Sequence, residues 1–549
     1  MHNRFIFALV MLVCAALMLV PAAAQQAFEP MAVTAESCDY GGIIQSIEAI
    51  DELTVQFTLC QPDPAFPSKA ALPAFGILPS EVLQQTGGGG PELFQNPIGT
   101  GPYMLEEWDQ GNEIVFTRFD GYWGEPANEQ TLIFRWNSDA AARLAELQAG
   151  NADGIDNPGP DDFPAITEDT TLQLLEREGL NTFYIGFNNT IAPFDSLNVR
   201  QALAYAIDKQ RIVDNYYPPG SSVADQFMPP AIRSGYTPDV VPFPNDTFMA
   251  RILLDASSLE FPLEVTLNYR DVDSPYLPNP GIIAQDIADQ LEALATAQTD
   301  YFNVTVEQME TDGFFDAVNA GELAFYLHGW DADYADATNF LDFHFGDNQN
   351  IQFGEKFDDI TRPLAEAAQR EDLVARNRRY TQANIAIRDF APMIPVAHGG
   401  SGVAYRAGIE GAYSSPLGSE RFSVMSDPDD DVFVWVQSAE PVGLYCADEI
   451  DGESMQACEQ IVESLLAYEI GGTEVIPALA ESFAANDDRT IWTFNLRDGV
   501  LFHDGSTLDA NDVVMSWGIQ WDASNPLHVG RVGGFYYFGA LFNAFLNAE

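Results

Sequence analysis

Strand-like and helix-like segments alternate through the middle of the chain. After Phe261, the residue pattern predicts a strand at 263–269, a helix at 282–295 and a strand at 303–308. A further helix and then a strand at 322–330 follow. Strands that alternate with helices are typical of α/β domains. The pattern therefore predicts an α/β fold.

Other segments also have clear strand or helix character. Two strand-like runs, 43–50 and 53–59, flank Asp51 and Glu52 and predict a hairpin. Gly150 follows an apolar helical pattern and is a typical stop signal. The remaining predictions are strands at 113–119, 181–188 and 393–397, and helices at 140–149, 199–213 and 373–390.

The charge of the chain is strongly negative. Its 549 residues include 82 acidic and 24 basic side chains, which gives a net charge of -58. Such a surface repels nucleic acids and anionic lipid headgroups, so we expect neither as a partner. The acidic residues are spread along the whole chain, which favours a solvated acidic surface over a specific cation site. The length is sufficient for two or more domains.

The first residues have the pattern of a secretory signal peptide. Arg4 precedes an apolar run at 5–20, and small residues lead to a cleavage site after Ala24. Cys14 lies within the apolar run without the small residues that a lipoprotein signal requires. We therefore expect residues 1–24 to be removed from a soluble exported protein that acts in the periplasm or outside the cell. An uncleaved membrane anchor is the alternative.

Four cysteines remain after that cleavage. An even number of cysteines in an exported chain favours disulfides over a metal site. Proximity in sequence suggests Cys38–Cys60 and Cys446–Cys458, which is one of three possible pairings. No Cys-x-x-Cys is present in the sequence, and we expect no metal and no cofactor.

Several short motifs are spread over most of the mature chain. They are Asn96-Pro-Ile-Gly-Thr-Gly-Pro102, Phe119-Asp-Gly-Tyr-Trp-Gly124, Leu180-Asn-Thr-Phe-Tyr-Ile-Gly-Phe-Asn188, Val199-Arg-Gln-Ala-Leu-Ala-Tyr-Ala-Ile-Asp208, Gly329-Trp-Asp-Ala-Asp-Tyr334 and Val396-Ala-His398. Each motif alone is weak evidence. Their combination resembles the extracellular solute-binding proteins of family 5, the dipeptide- and oligopeptide-binding components of ABC importers.

The order of the segments departs from that family. The stretch from 432 to 549 contains an apolar strand at 432–436 and the run Trp492-Thr-Phe-Asn-Leu-Arg-Asp-Gly499, which resemble the family's first segment. The family's remaining segments correspond to 43–426. This order resembles a circular permutation, in which the linker 427–431 joins the family's usual C- and N-termini. Exposed loops tolerate such breaks. A truncated or misassembled tandem gene is the alternative.

The resemblance implies a periplasmic-binding-protein-like fold with two α/β lobes that close around a ligand. Lobe I would combine residues 25–187 with 396–549, and lobe II would be 188–395. The hinge crossings would lie near 186–188 and 395–397.

The resemblance also implies candidate ligand-binding residues. The family's amine-binding aspartate corresponds to Asp333, beside Trp330 as an apolar wall. Arg270 follows a strand at the position where dipeptide binders place a carboxylate-pairing arginine. Two adjacent tyrosines and two asparagines of the predicted hinge strand complete the set, namely Tyr536, Tyr537, Asn181 and Asn188. Each has a plainer interpretation: loop carboxylates and local ion pairs are common in an acidic chain, and aromatic residues are more often core.

We therefore predict a monomeric solute-binding protein without catalytic residues. It would bind dipeptides or short peptides and deliver them to the permease subunits of an ABC importer. The same fold could instead bind a nickel chelate, heme or an oligosaccharide. A secreted hydrolase is the alternative from another class, but no His-Glu-x-x-His or Gly-x-Ser-x-Gly motif supports it. His503 and Asp504 are interpreted as a structural turn before a helix capped by Asp509.

Overall fold

The computed structural model describes residues 28–549, except 90, 273, 348–349, 371, 531–533 and 549. The predicted signal peptide, residues 1–24, lies outside the described residues. Within the described part of the chain, no helix is both long and apolar enough to cross a membrane.

Strands and helices alternate along the described chain. The strands are β1 (Ala32–Thr34), β2 (Ile44–Asp51), β3 (Thr54–Leu59), β4 (Tyr103–Asp109), β5 (Glu113–Arg118), β6 (Thr131–Trp136), β7 (Gly154–Asp156), β8 (Leu172–Arg177), β9 (Asn181–Phe187), β10 (Ser222–Val223), β11 (Leu263–Arg270), β12 (Phe302–Met309), β13 (Phe325–Asp331), β14 (Met393–His398), β15 (Ser401–Arg406), β16 (Val432–Gln437), β17 (Leu466–Tyr468), β18 (Val475–Pro477), β19 (Ala480–Ala485) and β20 (Ile491–Leu496). The α-helices are α1 (Phe66–Lys69), α2 (Ser80–Thr86), α3 (Pro91–Gln95), α4 (Ala140–Gln148), α5 (Phe163–Glu168), α6 (Leu197–Ala206), α7 (Lys209–Tyr216), α8 (Thr247–Ala256), α9 (Pro280–Glu292), α10 (Thr311–Asn319), α11 (Phe343–Phe345), α12 (Asp358–Ala367), α13 (Leu373–Phe390), α14 (Gly452–Ile461), α15 (Ala510–Trp521) and α16 (Tyr536–Phe542).

Lobe II is built on a six-stranded sheet in the order β10-β14-β9-β13-β11-β12. Its central strand β9 is buried along its whole length. Phe183, Ile185 and Phe187 pack into one apolar cluster, while Tyr184 packs into another on the opposite face. A strand covered on both faces reads as a continuous apolar run, as β9 does.

Lobe I contains a seven-stranded sheet, a five-stranded sheet and a two-stranded ribbon. The seven-stranded sheet has the order β4-β5-β6-β16-β7-β15-β8, and the five-stranded sheet has the order β1-β2-β3-β20-β19. β16 pairs in parallel with β6 and with β7, and β20 pairs with β3. The last quarter of the chain therefore completes sheets that the first third begins.

The chain crosses between the seven-stranded and six-stranded sheets at two short segments, 178–180 and 399–400. The sequence placed these crossings near 186–188 and 395–397. The positions differ because β9 and β14 pair with each other inside lobe II. The sheets therefore place the lobe boundaries near 178–180 and 399–400 rather than at 187/188 and 395/396.

Close backbone approach explains the glycines at these crossings. A Cβ atom on Gly179 would lie 1.9 Å from the carbonyl oxygen of Gly399, and one on Gly399 would lie 1.8 Å from that of Pro275. Asn181 fastens the two segments together. Its Nδ2 donates to the Gly399 carbonyl at 2.9 Å, and its Oδ1 accepts from the Gly399 N–H at 2.8 Å.

The disulfides are Cys38–Cys60 and Cys446–Cys458, as sequence proximity suggested. The helix expected at 199–213 is two helices, α6 and α7, because Asp208 interrupts the pattern and caps the second helix through the Arg211 N–H.

The turn at His503 is structural, as predicted. The two ring nitrogens of His503 contact the Gly99 N–H at 3.3 Å and the Gly101 carbonyl at 3.0 Å. Asp509 caps α15 and forms a capping box with Asp512.

Candidate functional site

Two adjoining cavities lie where the lobes face each other. The central cavity has a volume of about 260 Å³, and the hinge cavity beside the crossings has a volume of about 240 Å³. Taken together they fall in the range of about 300–1,000 Å³ that is usual for small-molecule sites. The central cavity is lined by residues that include Asp333, Tyr413, Arg421, Tyr468 and Tyr537. The hinge cavity is lined by residues that include Asp156, Arg177, Asn181, Gly399 and Gln437. Both share Asp331, Ala332, Leu417 and Gly452, so they form one continuous cleft.

Asp333 belongs to lobe II and lies at this cleft, two residues after the end of β13. Asn339 holds it from two sides, since its Nδ2 donates to Asp333 Oδ2 at 2.9 Å and its Oδ1 accepts from the Asp333 N–H at 3.0 Å. Partial burial raises the pKa of Asp333, and the hydrogen bond from Asn339 opposes this rise. The bond from Asn339 thus fixes the carboxylate through Oδ2, and Oδ1 takes no part in that bond.

Asp331, two residues earlier, lines both cavities. Desolvation, followed by the charge of Asp333, raises the pKa of Asp331 to about 7, while the Asn181 side chain and Arg270 lower it. Its side chain is nevertheless open to the cleft space. The raised pKa and the exposed side chain of Asp331 are compatible. A group that faces an internal cavity is accessible from that cavity, while protein surrounds the cavity on most sides.

Trp330 is linked to Asp333 through the same asparagine. Its Nε1 donates to Asn339 Oδ1 at 3.1 Å, and its ring stacks on Phe343 at a centroid distance of 4.6 Å. Trp330 is half-buried against an apolar cluster that contains residues of both lobes. Its observed contacts therefore support Asn339, and through it the position of Asp333.

The two tyrosines of α16 come from the end of the chain and approach Asp333 from lobe I. Tyr537 lines the central cavity, whereas Tyr536 is 58% exposed. Desolvation and then the charge of Asp333 raise the pKa of each tyrosine, which indicates that both phenols are near the carboxylate. The structure thus brings Asp333 and Tyr537 into one cavity, although they are far apart in sequence.

Arg270 lies at the end of β11 and is not among the residues that line the two cavities. Its Nη2 donates to the Tyr276 hydroxyl at 2.8 Å, and its guanidinium lies 4.8 Å from the centroid of the Phe315 ring. Its positive charge still lowers the pKa of Asp331. Arg270 therefore acts on Asp331 through its charge, but it lines neither cavity.

Asn181 begins β9, and Asn188 directly follows its last residue. Asn181 is paired in register with Asp331 and lines the hinge cavity. Asn188 follows the other end, where its Nδ2 donates to the Gly321 carbonyl and its Oδ1 accepts from the Thr190 N–H at 2.9 Å. The structure therefore brings Asn181 but not Asn188 to the cleft.

Sequence reasoning missed two residues that shape the site. Asn339 carries no motif that marks it, and only the π-helical turn Thr338–Asp342 brings it beside Asp333. Asp331 lies only two residues before Asp333, but β13 ends at Asp331, so the strand period does not predict that the two side chains share the cleft. Among the described residues, no group of histidine, cysteine and acidic side chains has the arrangement of a metal site.

The family profile described as bacterial extracellular solute-binding proteins, family 5 Middle, matches residues 19–352 and 474–530. The chain belongs to this family. It is 31% identical over 397 residues to the dipeptide-binding protein of Escherichia coli, a match that covers 70% of this chain and 72% of that protein.

Other relatives of this family-5 protein carry a different name. Heme-binding protein A of Haemophilus influenzae is 29% identical over 388 residues, with 69% of each chain covered. The solved structure of HbpA2 from Haemophilus parasuis superposes with a TM-score of 0.65 and 32% identity, covering 70% of this chain and 75% of that one. The two-lobed α/β fold predicted from the sequence is thus confirmed.

Proposed function

We propose that this protein is the solute-binding component of an ABC importer and that it captures dipeptides or short peptides between its lobes. The proposal rests on the position of Asp333, which lines an interlobe cavity and is held there by a hydrogen bond from Asn339. A carboxylate at a poorly solvated wall is suited to the α-ammonium group of a peptide. The relationship to dipeptide-binding proteins supports the same class of ligand.

The other candidate residues have distinct proposed roles. Tyr537 and Trp330 would provide walls next to the amino terminus, with Tyr536 near the cavity edge. Arg270 would pair with the peptide carboxylate, and this requires that Tyr276 release its guanidinium or that both share the ligand. Asn188 remains a prediction that its position at the far end of β9 does not support.

The function would consist of binding without chemical turnover. A ligand that touches both lobes has higher affinity for the closed arrangement and stabilises it. The closed form would then dock on membrane permease subunits. The family's description as extracellular supports action outside the cytoplasmic membrane, and so do the two disulfides, which persist in oxidising compartments.

Isothermal titration calorimetry with a panel of dipeptides and tripeptides tests this function. We expect at least one peptide to bind wild type, and Asp333→Asn to weaken its affinity by about tenfold or more, because a charge-assisted hydrogen bond is lost. Asp316→Asn in α10, an exposed acidic residue of the same lobe, is the matched control and should bind as wild type. Absence of binding across the panel, or unaltered affinity in Asp333→Asn, would contradict the proposal.

Heme is the second candidate ligand because of the relative named Heme-binding protein A. Hemin added to the same titrations separates the two. If hemin binds and no peptide does, heme replaces peptide as the ligand.

A further inference from the structure

Asp331 and Asp333 face the same cleft from one edge of lobe II. Asp331 is the last residue of β13, and Asp333 follows it by two positions. Both line the central cavity, and Asp331 also lines the hinge cavity. A bound molecule that reaches Asp333 therefore has Asp331 within the same enclosed space.

Neither carboxylate forms a salt bridge with any described basic residue. Asp336, in the same segment, shows the contrast: Arg376 bonds both of its oxygens, at 2.8 and 3.0 Å. Arg270 acts on Asp331 through its field, but its Nη2 bonds Tyr276. Two acidic groups thus remain without a cation at the place where ligand is expected.

The arginines that line the cleft are already neutralised by other acids. In the hinge cavity, Arg177 pairs with Asp156 at 3.2 Å and with Glu420 at 2.7 Å. In the central cavity, Arg421 pairs with Glu459 at 2.6 Å. The cleft therefore has an unbalanced negative charge, to which Asp331 and Asp333 contribute together with Glu178, Glu453 and Glu469 of the cavity walls.

Enclosure makes this negative charge unfavourable, because protein replaces much of the water around it. Desolvation and the neighbouring Asp333 raise the pKa of Asp331 to about 7. A bound cation would offset the desolvation of Asp331, because it supplies a counter-charge. It would also reduce the repulsion between the carboxylates of Asp331 and Asp333. A single α-ammonium group at Asp333 leaves Asp331 without such a partner.

We infer that Asp331 is a specificity-determining residue and that the protein selects short peptides with a basic side chain beside the amino terminus. Asp333 would bind the α-ammonium group, and Asp331 the lysine or arginine side chain. This inference rests on the proposed peptide-binding function and names the substrate class of the same cleft.

Matched peptides test the inference by calorimetry on the full protein. Lys-Ala and Ala-Lys are compared with norleucine-Ala and Ala-norleucine, which have nearly the same shape without the charge. We expect wild type to bind Lys-Ala about tenfold or more tighter than norleucine-Ala, and a preference confined to Ala-Lys would contradict a basic side chain beside the amino terminus. Asp331→Asn should reduce that ratio to near one, while Asp316→Asn should leave it unchanged.

The outcomes separate this inference from the proposed function. Equal binding of lysine and norleucine peptides by wild type overturns the inference and leaves peptide binding intact. A lysine preference that survives Asp331→Asn assigns the preference to other groups and also overturns it. If no peptide binds at all, both fail. Because the wild-type ratio is measured without any variant, the test remains decisive even if Asp331→Asn does not fold.

Discussion

Asn339 forms two hydrogen bonds with Asp333, one to its carboxylate at 2.9 Å and one from its backbone N–H at 3.0 Å. The same Oδ1 atom of Asn339 also accepts from Trp330. One side chain therefore sets the position of the proposed amine-binding group and links it to the aromatic wall.

Replacement of Asn339 by alanine should weaken peptide binding by about tenfold, because a hydrogen bond to a charged group contributes roughly 1.5–3 kcal/mol. The Asn339 bond lowers the pKa of Asp333, so its loss should raise that pKa. The pH at which affinity is half-maximal should then move upward, which titrations at several pH values will show. A uniform loss of affinity with an unchanged pH profile would indicate a structural role only.

The pH dependence of stability should identify Asp331. The unfolded chain releases this proton near the ordinary pKa of 3.8, whereas the folded protein holds it to about 7. The folded state therefore binds more protons between these values, and the contribution of Asp331 to stability falls as pH rises.

Asp331→Asn removes this loss, so the Tm of the variant relative to wild type should increase from about pH 4 to about pH 7 and then level off. Scanning calorimetry of both proteins without ligand measures the difference. Burial also raises the pKa values of Asp342 and Asp512 to about 7, but these groups are common to both proteins and cancel. A difference in Tm that is constant with pH would contradict the raised pKa.

The sequence predicted those parts of the site that depend on chain-local patterns. Asp333 follows a recognisable Gly-Trp pair. Its place at the cleft could be predicted because it lies just after the end of a predicted strand. Whether a side chain faces the cleft, and how far protein encloses it, depends on the neighbouring strands. The spacing of residues in the sequence does not reveal these neighbours. Asn181 and Asn188 look equivalent in sequence, yet the pairing of β9 with β13 puts only Asn181 opposite Asp331.

The same reasoning explains the displaced hinge. The run at 181–188 fits a strand in either lobe, because a continuous apolar run indicates burial on both faces and not sheet membership. Arg270 shows a further limit, since a basic residue after a strand can point to solvent, to ligand or to a tyrosine. Here its partner is Tyr276, from the loop that follows β11.

The buried pair Arg376–Asp336 should be the most sensitive ion pair near the proposed ligand-binding residues. Removal of one member of a buried pair leaves the other uncompensated and typically costs about 3–5 kcal/mol. Arg376→Met should therefore lower the free energy of unfolding in urea by roughly this amount.

The exposed pair Arg362–Asp359, at 3.5 Å, provides the matched control. Arg362→Met should cost no more than about 1 kcal/mol. Adding Asp336→Asn to Arg376→Met should recover part of the loss, because it removes the unpaired charge. Equal effects of Arg376→Met and Arg362→Met would show that burial does not govern the pair.

The segment order should be reversible if it is a circular permutation. Both ends of the described chain pack on lobe I: Asn511 Nδ2 in α15 donates to the Glu29 carbonyl at 3.1 Å, and the Ile43 N–H donates to the Phe542 carbonyl at 3.0 Å. The linker residues 428–431 are exposed. We therefore expect a chain opened between Asp429 and Asp430, with Ala548 joined to Phe28 by a flexible Gly/Ser linker, to fold.

The reordered protein should bind the same peptides with affinities within about threefold of wild type, because neither the opening nor the join involves a residue that lines the cavities. Circular dichroism and calorimetry measure fold and binding. The matched control carries the same join but is opened inside α13 at Asn384, which is buried and donates to the Gly235 carbonyl at 2.7 Å. That control should not fold. Failure of the Asp429–Asp430 opening to bind peptide, while wild type binds, would exclude a simple permutation.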